Sequence, residues 1–310
     1  MKAMRYHSHG DSDVLVYEEV DEPTPDAGQV VIRVAGTAFN LLDVAMRIGI
    51  VRETMPVRLP HTPNIDVSGV ITEVGDGVTG WNVGDEVLAL LPPTSPGAAA
   101  EYVAAPAAVL ARAPRTIALA DAAALPVAGL TAWQALSQQA NLTAGQTILI
   151  NGAGGGVGGY AVQLAKRAGA VVTATAGPRS FDRVRAAGAD HIVDYTTSPV
   201  LEALAGQRFD VVLHLVRNSP EETAALVDLV ADGGTFVTAT TAGPDDPPRR
   251  VRTKAVFARG DAADLARLVS HVDTGELKVE VAERLPLTEL AAVHDRAVAG
   301  QLPGKVVLSP

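Results

Sequence analysis

The sequence predicts an α/β protein in which a compact, partly antiparallel β domain accompanies a doubly wound parallel sheet. Up to about residue 120 the chain shows short β-like runs broken by Gly and Pro. From about residue 121, apolar strands alternate with helical stretches, a pattern typical of βαβ units. Where one of these strands gives way to a helix, residues 152–159 contain six glycines in eight positions.

The individual elements follow from these patterns. The first part contains the β-like runs "VVIRVAG", "SGVITEVG", "DEVLALL" and "AEYVAAP". The second part contains the apolar strands "TILIN", "AVVTATA", "FDVVLHLV" and "TFVTATT", separated by the helical patterns "GYAVQLAKRAG", "SFDRVRAAGA" and "PEETAALVDLVADGG". The Pro-rich, charged segment 243–250 predicts a linker. Two further helical patterns precede "GKVVLSP", a short strand that either domain can accept.

Composition excludes several classes of protein. The chain has 310 residues and a net charge of -10, which repels a nucleic-acid backbone. Because it contains no cysteine, it has no disulfide, thiolate metal site or cysteine nucleophile. The N-terminus lacks an apolar segment behind its basic residues, and no apolar run has the roughly 20 residues that span a bilayer. We therefore expect a cytoplasmic protein that binds neither nucleic acid nor membrane.

The glycine-rich turn predicts a site for a dinucleotide. Glycines at a strand-to-helix turn allow a tight bend, a close approach of backbone N–H groups to a pyrophosphate, and close helix packing. Two registers fit: Gly154, Gly156 and Gly159 match G-x-G-x-x-G, whereas Ala153, Gly155 and Gly158 match its A-x-G-x-x-G variant. A turn without a ligand is the alternative. The candidate cofactor-binding residues here are Gly152, Ala153, Gly154, Gly155, Gly156, Val157 and Gly158.

The end of the second strand indicates which dinucleotide binds. An acidic residue about 20 positions after the glycines would bind the ribose hydroxyls of NAD. The segment "TATAGPRS" at 173–180 has no acid there, and Arg179 and Ser180 offer a cation and a hydroxyl to a 2′-phosphate. Although Arg179 alone is compatible with a solvated loop charge, the two signals together favour NADPH. Thr175, Gly177, Arg179 and Ser180 complete this part of the predicted site.

Beyond this motif, most of the chain resembles the medium-chain dehydrogenase/reductase superfamily, and within it the zinc-free quinone oxidoreductase branch related to ζ-crystallin. The resemblance rests on "PTPDAGQVVIRVAGTAFNLLDVAMRIG", "LPHTPNIDVSGVITEVGDGVTGWNVGDEVLAL", "AALPVAGLTAWQAL", "NGAGGGVGGYAVQLAKRAGA" and "PGKVVLSP". It implies a GroES-like, partly open β-barrel catalytic domain at 1–120 and 251–310. It also implies a Rossmann NADPH-binding domain at 121–250.

The resemblance also implies site residues. In that branch an Asn and an Asp line the site, here Asn40 and Asp43, and Asn40 is the candidate donor to a substrate oxygen. A plain helix cap is the alternative for "NLLD", and both roles are compatible. Thr131 is the third catalytic candidate, because it matches a family position near the nicotinamide; a helix cap is the alternative for it. Tyr195 matches a tyrosine that contacts the adenosine phosphate in the family.

No metal is expected, since Asn64, Ile65 and Asp66 stand where zinc-dependent relatives carry Gly-His-Glu. Phe181 replaces a lysine of many quinone reductases, so Arg179 would take over the phosphate.

These observations together predict a zinc-independent enzyme that passes a hydride from NADPH to a quinone or to an α,β-unsaturated carbonyl compound. A specialised enoyl reductase of a biosynthetic pathway and a non-catalytic NADPH-binding protein are the alternatives. By resemblance, we expect a homodimer that pairs edge strands of two Rossmann sheets, with "AVFARG" at 255–260 as the candidate strand.

Overall fold

The computed structural model describes all 310 residues, which form two compact units. The first comprises Met1–Val127 and Gly260–Pro310, and the second comprises Ala128–Arg259. Strands β1 to β7 are Lys2–Tyr6, Leu15–Glu19, Gln29–Ala38, Asp66–Val74, Glu86–Leu90, Tyr102–Pro106 and Leu110–Arg112. Strands β8 to β15 are Thr147–Asn151, Val171–Ala176, His191–Asp194, Phe209–His214, Val230–Thr238, Arg252–Ala255, Glu283–Pro286 and Val306–Ser309. Helices α1 to α8 are Leu41–Arg47, Pro126–Trp133, Gly156–Arg167, Phe181–Ala186, Val200–Ala203, Pro220–Val227, Ala262–Asp273 and Leu290–Val298.

The first unit is built on a seven-stranded, largely antiparallel sheet. Its strand order is β14-β15-β3-β4-β5-β7, and β6 pairs with β3 as well. The long strand β3 has a single strongly exposed residue, Arg33, because the rest of it is covered on both faces. The terminal strand β15 pairs with β3 through Val307 and Ala38, so the end of the chain joins this unit.

A hydrophobic core fills the space between this sheet and the helix α8. Buried residues from both chain ends contribute to it, among them Tyr6, Phe39, Leu290 and Leu308. Since Leu308 is on β15 and Tyr6 on β1, burial of apolar surface holds the two distant chain segments together. The first unit therefore needs both ends of the sequence.

The second unit is a six-stranded parallel sheet with the order β10-β9-β8-β11-β12-β13. Every neighbouring pair is parallel. Counted from β8, this order is 3-2-1-4-5-6, the order of a Rossmann fold, which reverses direction between β8 and β11. Ligands of such sheets bind outside the carboxyl ends of the strands at this reversal. The glycine turn follows β8 and therefore lies at that edge.

The strands and helices in the chain depart from the sequence-based expectations in three places. Strand β12 already begins at Val230, because "VADGG" extends the strand and does not continue the preceding helix. The last strand of this sheet is Arg252–Ala255, not 255–260. Residues 243–250 connect β12 to β13 within one sheet and are no linker.

The boundaries between the units consequently lie later in the chain than 120 and 250. Residues 251–259 stay with the six-stranded sheet because β13 is hydrogen-bonded to β12. None of the eight helices combines the length and the apolar character that crossing a membrane requires.

Candidate functional site

The glycine turn in the second unit presents an open helix N-terminus. Strand β8 ends at Asn151, and Gly152 turns the chain with φ at +98°, a conformation that favours glycine. Gly155 is the extended N-cap residue of α3, and the first helical hydrogen bond of 3.1 Å runs from Gly159 N–H to Gly155 O. The N–H groups of the three residues between them therefore have no helical acceptor. This end carries the positive pole of the helix dipole and suits a phosphate group.

Packing distinguishes the two registers of the glycine motif. A Cβ atom on Gly158 would clash with the carbonyl oxygen of Gly152 and would lie 2.5 Å from Cα of Ala153. A Cβ atom on Gly159 would meet nothing within 4 Å. Since the third glycine of the motif is the one that permits close helix packing, the structure favours Ala153, Gly155 and Gly158.

The segment after β9 packs directly against this turn. The guanidinium of Arg183 donates a hydrogen bond of 2.8 Å to Gly154 O, and Ser180 Oγ occupies the space that a Cβ of Gly154 would need. Half-buried Val157 is the second residue of α3. Side chains of the segment after β9 therefore fill the space beside Gly154.

The remaining predicted cofactor residues lie around the carboxyl ends of β9 and β10. Gly177 follows β9, and the hydroxyl of Tyr195 would lie 3.0 Å from a Cβ at that position. Arg179 is exposed, and Ser180 donates to Gly177 O over 3.2 Å. Ala176 and Gly177 stand where NAD-binding chains carry an acid, so the strand end offers no carboxylate to ribose hydroxyls.

Behind the glycine turn, three buried polar side chains lie at the ends of adjacent strands. Thr175 Oγ1 accepts a hydrogen bond from Gly152 N–H at 2.9 Å and donates one of 2.8 Å to Asn151 Oδ1. Asn151 Nδ2 is 3.0 Å from His214 Nδ1. Burial lowers the pKa of His214 to about 4, so its imidazole is neutral at pH 7.

In the first unit, the side-chain amide of Asn40 is fully engaged. Its Nδ2 donates to Asp66 Oδ2 at 2.9 Å and to Ala38 O at 3.2 Å, and its Oδ1 accepts a 2.6 Å hydrogen bond from Lys305 Nζ. A hydrogen bond from this amide to a substrate, as the family resemblance implies, thus requires the exchange of one of these contacts. The structure shows Asn40 as a member of a network and not as a free donor.

Asp43 performs the capping role at α1. Its Oδ2 accepts from Asn40 N–H at 2.8 Å and its Oδ1 from Asn64 N–H at 3.1 Å. Only 1% of Asp43 is exposed, and this burial raises its pKa to about 7 despite the hydrogen bonds from Asn40 and Asn64. Nearby Asp66 raises the pKa further, and Lys305 opposes that effect. Asp43 therefore orients the loop between β3 and α1.

Lys305 and Asp66 form a buried ion pair that connects three segments. Lys305 Nζ lies 3.1 Å from Asp66 Oδ2 and also donates to Phe39 O, and Asp66 Oδ1 accepts from Val127 N–H at 2.7 Å. An ammonium group this close to the carboxylate repels a divalent cation, and Asn64 and Ile65 supply no strong ligand. These residues do not fit the zinc ion that zinc-dependent relatives hold. No group of three or more His, Cys, Asp or Glu side chains that would bind a metal ion is found.

Asn64 has a backbone conformation that favours glycine. Its φ is +69°, in the left-handed region, where Asn is tolerated better than most other residues with a Cβ. Both polar atoms of its buried side chain lack a hydrogen-bond partner. The backbone conformation is therefore retained, while the amide group is placed in an unfavourable environment.

Thr131 lies on α2 in the second unit. It is the sixth residue of that helix and is buried, so it does not cap the helix start. The helix continues as a π-helical turn over Gln134–Gln139, a feature that is frequent near functional sites. Its predicted role beside the nicotinamide stays a prediction.

Sequence reasoning did not single out Asn151, His214, Asp66 and Lys305 as site residues. The sequence contains weak signals for two of them: His214 ends the apolar segment "FDVVLH", and Lys305 begins the apolar segment "KVVLS". Only the fold shows that Lys305 lies beside Asn40, since 265 positions separate them along the chain.

Two family models match the chain. Residues 26–115 match the alcohol dehydrogenase GroES-like domain, and residues 187–308 match a model described as zinc-binding dehydrogenase. The fold class of a GroES-like domain plus a Rossmann sheet is thereby confirmed.

Several whole-length relatives are similar to the chain. A chloroplast envelope quinone oxidoreductase homolog of Arabidopsis thaliana is 32% identical, over all of this chain and 98% of the relative. An NADPH-dependent alkenal/one oxidoreductase of the same plant is 33% identical, over all of this chain and 80% of the relative. The structure of a quinone oxidoreductase from Coxiella burnetii covers all of this chain and 99% of its own, with a TM-score of 0.91 and 28% identity. The chain therefore belongs to the medium-chain dehydrogenase/reductase superfamily, in its quinone oxidoreductase branch.

Proposed function

We propose that this protein is an NADPH-dependent oxidoreductase that transfers a hydride to a quinone or to the β-carbon of an α,β-unsaturated carbonyl compound. The observation that carries the proposal is the glycine turn, with an uncapped helix N-terminus at the carboxyl edge of a Rossmann sheet. Relatives named for quinone and for alkenal/one reduction support the choice of acceptor.

The choice of NADPH depends on the end of β9. An NAD-binding site would need a carboxylate for the ribose hydroxyls, and Ala176 and Gly177 provide none. Arg179 is exposed at the same strand end, where its guanidinium suits a 2′-phosphate. The alkenal/one oxidoreductase of A. thaliana is named for the same dinucleotide.

The residues of the turn fit a dinucleotide, because a side chain at position 158 would clash with Gly152 and Ala153 and because no side chain caps the N-terminus of α3. When bound, the nicotinamide supplies the hydride. The backbone N–H groups of Gly156 and Val157, in the first turn of α3, would hold the phosphates, and Tyr195, which lies against Gly177, would contact the adenosine end. An acceptor that is already electrophilic, such as an enone, needs positioning more than it needs a strong acid.

The experiment is an absorbance assay of NADPH oxidation, with NADH in parallel, against ortho- and para-quinones and conjugated enals and enones. We expect turnover with NADPH at a kcat/KM at least tenfold above that with NADH. The preferred acceptor separates quinone reduction from double-bond reduction. If NADPH binds but the whole panel is silent, the protein is either an enoyl reductase for one biosynthetic substrate or a non-catalytic NADPH-binding protein, and the proposed acceptor class is wrong.

Assembly and location complete the proposal. Strand β13 is the outer strand of the parallel sheet, so a second copy can extend the sheet by pairing along it to give a homodimer. A monomeric mass in small-angle scattering would contradict this. We propose a cytoplasmic location, which fractionation of cells that express a tagged chain tests.

A further inference from the structure

The buried side chains behind the glycine turn form one connected hydrogen-bond network. Two of its members, Asn151 and His214, have no role in the predicted site. Asn151 ends β8, Thr175 lies near the end of β9, and His214 ends β11. These strands are neighbours in the order β9-β8-β11, and Asn151 is directly opposite His214 in the register. We call Asn151, Thr175 and His214 the anchoring network.

With the side-chain amide of Asn151 oriented as in the structure, the donors and acceptors in this network have one consistent direction. Gly152 N–H can only donate, so Thr175 Oγ1 accepts from it and directs its own hydrogen to Asn151 Oδ1. Asn151 therefore presents its NH₂ group to His214, and His214 Nδ1 accepts. The imidazole hydrogen must then be on Nε2, the atom that has no partner in the structure.

The environment of His214 agrees with this neutral tautomer. The residue is completely buried, and its ring lies 5.9 Å from the ring of Phe236, centroid to centroid. Burial without a nearby carboxylate lowers its pKa, which keeps Nδ1 free to accept. An imidazolium would place an N–H group against the NH₂ group of Asn151 and break the network.

The network holds the first residues of the turn from three strands at once. Thr175 binds Gly152 N–H with its hydroxyl and Ala153 N–H with its carbonyl oxygen, the latter at 3.2 Å. Leu215 N–H donates to Asn151 O at 2.9 Å, which joins the end of β11 to the same point. Because only four residues separate β8 from α3, a displacement of Gly152 would also move the N–H groups of α3 that would hold the phosphates.

We propose that Asn151, Thr175 and His214 are positioning residues that set the geometry of the dinucleotide turn without touching the cofactor. The inference rests on the proposed function, because a fixed turn would increase the affinity for the dinucleotide. The Nε2–H group of His214 is buried and has no partner, which is a cost to the folded protein. An apolar residue at this position would avoid that cost, but it would leave Asn151 Nδ2 without an acceptor. The presence of a histidine is therefore consistent with the role of holding Asn151.

The test compares NADPH dissociation constants, measured by fluorescence titration, for paired variants of the full chain. Thr175→Val removes the hydroxyl and retains the shape, and we expect Kd to rise roughly tenfold. Thr175→Ser keeps the hydroxyl and is expected to stay within about threefold of wild type. Thr173→Val is the matched control, since Thr173 is a buried threonine two positions earlier in β9 and outside the network.

A second pair tests His214. An asparagine at position 214 can place an acceptor oxygen where Nδ1 lies, so His214→Asn is expected to bind NADPH nearly as well as wild type. His214→Phe keeps a ring beside Phe236 but has no acceptor, and its Kd is expected to rise roughly tenfold. Equal Kd values for these two variants would overturn the inference.

Nitrogen-15 NMR of the wild-type protein provides a test that needs no variant. We expect a neutral His214 with its hydrogen on Nε2, and a hydrogen on Nδ1 would overturn the proposed direction of the network. If the wild-type protein and the Thr175→Val variant bind NADPH equally well, the inference is overturned and the proposed function stands. Wild-type protein that binds neither NADPH nor NADH would overturn the proposed function and, with it, this inference.

Discussion

The ammonium group of Lys305 lies 2.6 Å from Oδ1 of Asn40 and fixes the orientation of that side-chain amide. Asp66 accepts from both residues, so one buried charge pair holds the loop after β3, the strand β15 and the start of α2 together. This salt bridge within the first unit therefore joins segments that are far apart in the chain.

Replacement of Lys305 alone is expected to destabilise the folded protein. Lys305→Met leaves the Asp66 carboxylate buried without its cation, and we expect a loss of about 3–5 kcal/mol in the free energy of unfolding. The double variant Lys305→Met, Asp66→Asn removes both charges and should lose clearly less. Urea denaturation measures both values. Lys2→Gln is the control, because both side chains of its ion pair with Glu19 are exposed and the pair should be worth about 1 kcal/mol or less. Equal losses for the single and double variants would show that the charge pair is not coupled.

The register of the glycine motif is tested by two neighbouring glycines. Gly158→Ala forces a Cβ against Gly152 O and Ala153 Cα, so we expect loss of most NADPH affinity or of folding. Gly159→Ala places its Cβ in open space within a helix and is expected to stabilise the protein by about 0.5–1 kcal/mol. Calorimetric binding and thermal denaturation measure both effects. Tolerance of Gly158→Ala together with sensitivity of Gly159→Ala would favour the other register.

The preference for NADPH is expected to depend on Arg179. Arg179→Gln removes a charge-assisted contact to the 2′-phosphate, worth about 1.5–3 kcal/mol, and should lower the ratio of kcat/KM for NADPH over NADH by roughly ten- to a hundredfold. The value for NADH itself should hardly change. Arg185→Gln is the matched control, since Arg185 is also exposed but stacks over Phe181 at 4.9 Å. If the control lowers the ratio as much as Arg179→Gln does, general charge and not a specific contact sets the preference.

Asn64 offers a test of backbone strain in the first unit. Because its φ is +69°, Asn64→Ala is expected to cost about 1–2 kcal/mol of unfolding free energy. Asn64→Gly relieves the strain and removes two buried, unpartnered polar atoms, so we expect stability equal to or above that of wild type. Chemical denaturation distinguishes the two. An alanine variant as stable as the glycine variant would mean that the backbone relaxes away from this conformation.

Buried histidines should make the protein sensitive to acid. Burial lowers the pKa of His61 and His214 to about 4 and that of His294 to about 3, from 6.5. The unfolded chain therefore binds more protons than the folded chain as the pH falls below 6.5, and the free energy of unfolding decreases down to about pH 4. One pKa unit corresponds to about 1.4 kcal/mol, so the combined loss is several kcal/mol.

Asp43 opposes this trend, because its pKa is raised to about 7 in the folded state from 3.8. Its contribution to stability is complete below pH 3.8 and is lost as the pH rises through 7. Three histidines outweigh one carboxyl, so the net stability should still fall on acidification. Urea denaturation from pH 7 to pH 4.5 checks the slope, and His214→Asn should make it shallower. A stability that rises towards pH 4.5 would contradict the assignment.

The elements that were predicted best are those in which local pattern and burial agree. Strand β8 coincides with "TILIN", and α3 follows the apolar spacing of Ala161, Leu164 and Ala165. Errors occurred at Val230 and at β13, since a glycine pair inside a strand and a short charged edge strand carry no clear periodicity. Asn40 was identified by position, but its side chain has partners that sequence spacing does not reveal.

The sequence by itself determined the α/β class, the turn at Gly152–Gly158 and the absence of an acid after β9, because each depends on residues close together in the chain. The tertiary structure decided the packing role of Gly158, the pairing of β15 with β3, and the contacts of Lys305 and His214. These features join positions far apart in sequence, and only the burial of apolar surface that closes the two units brings them within hydrogen-bonding distance.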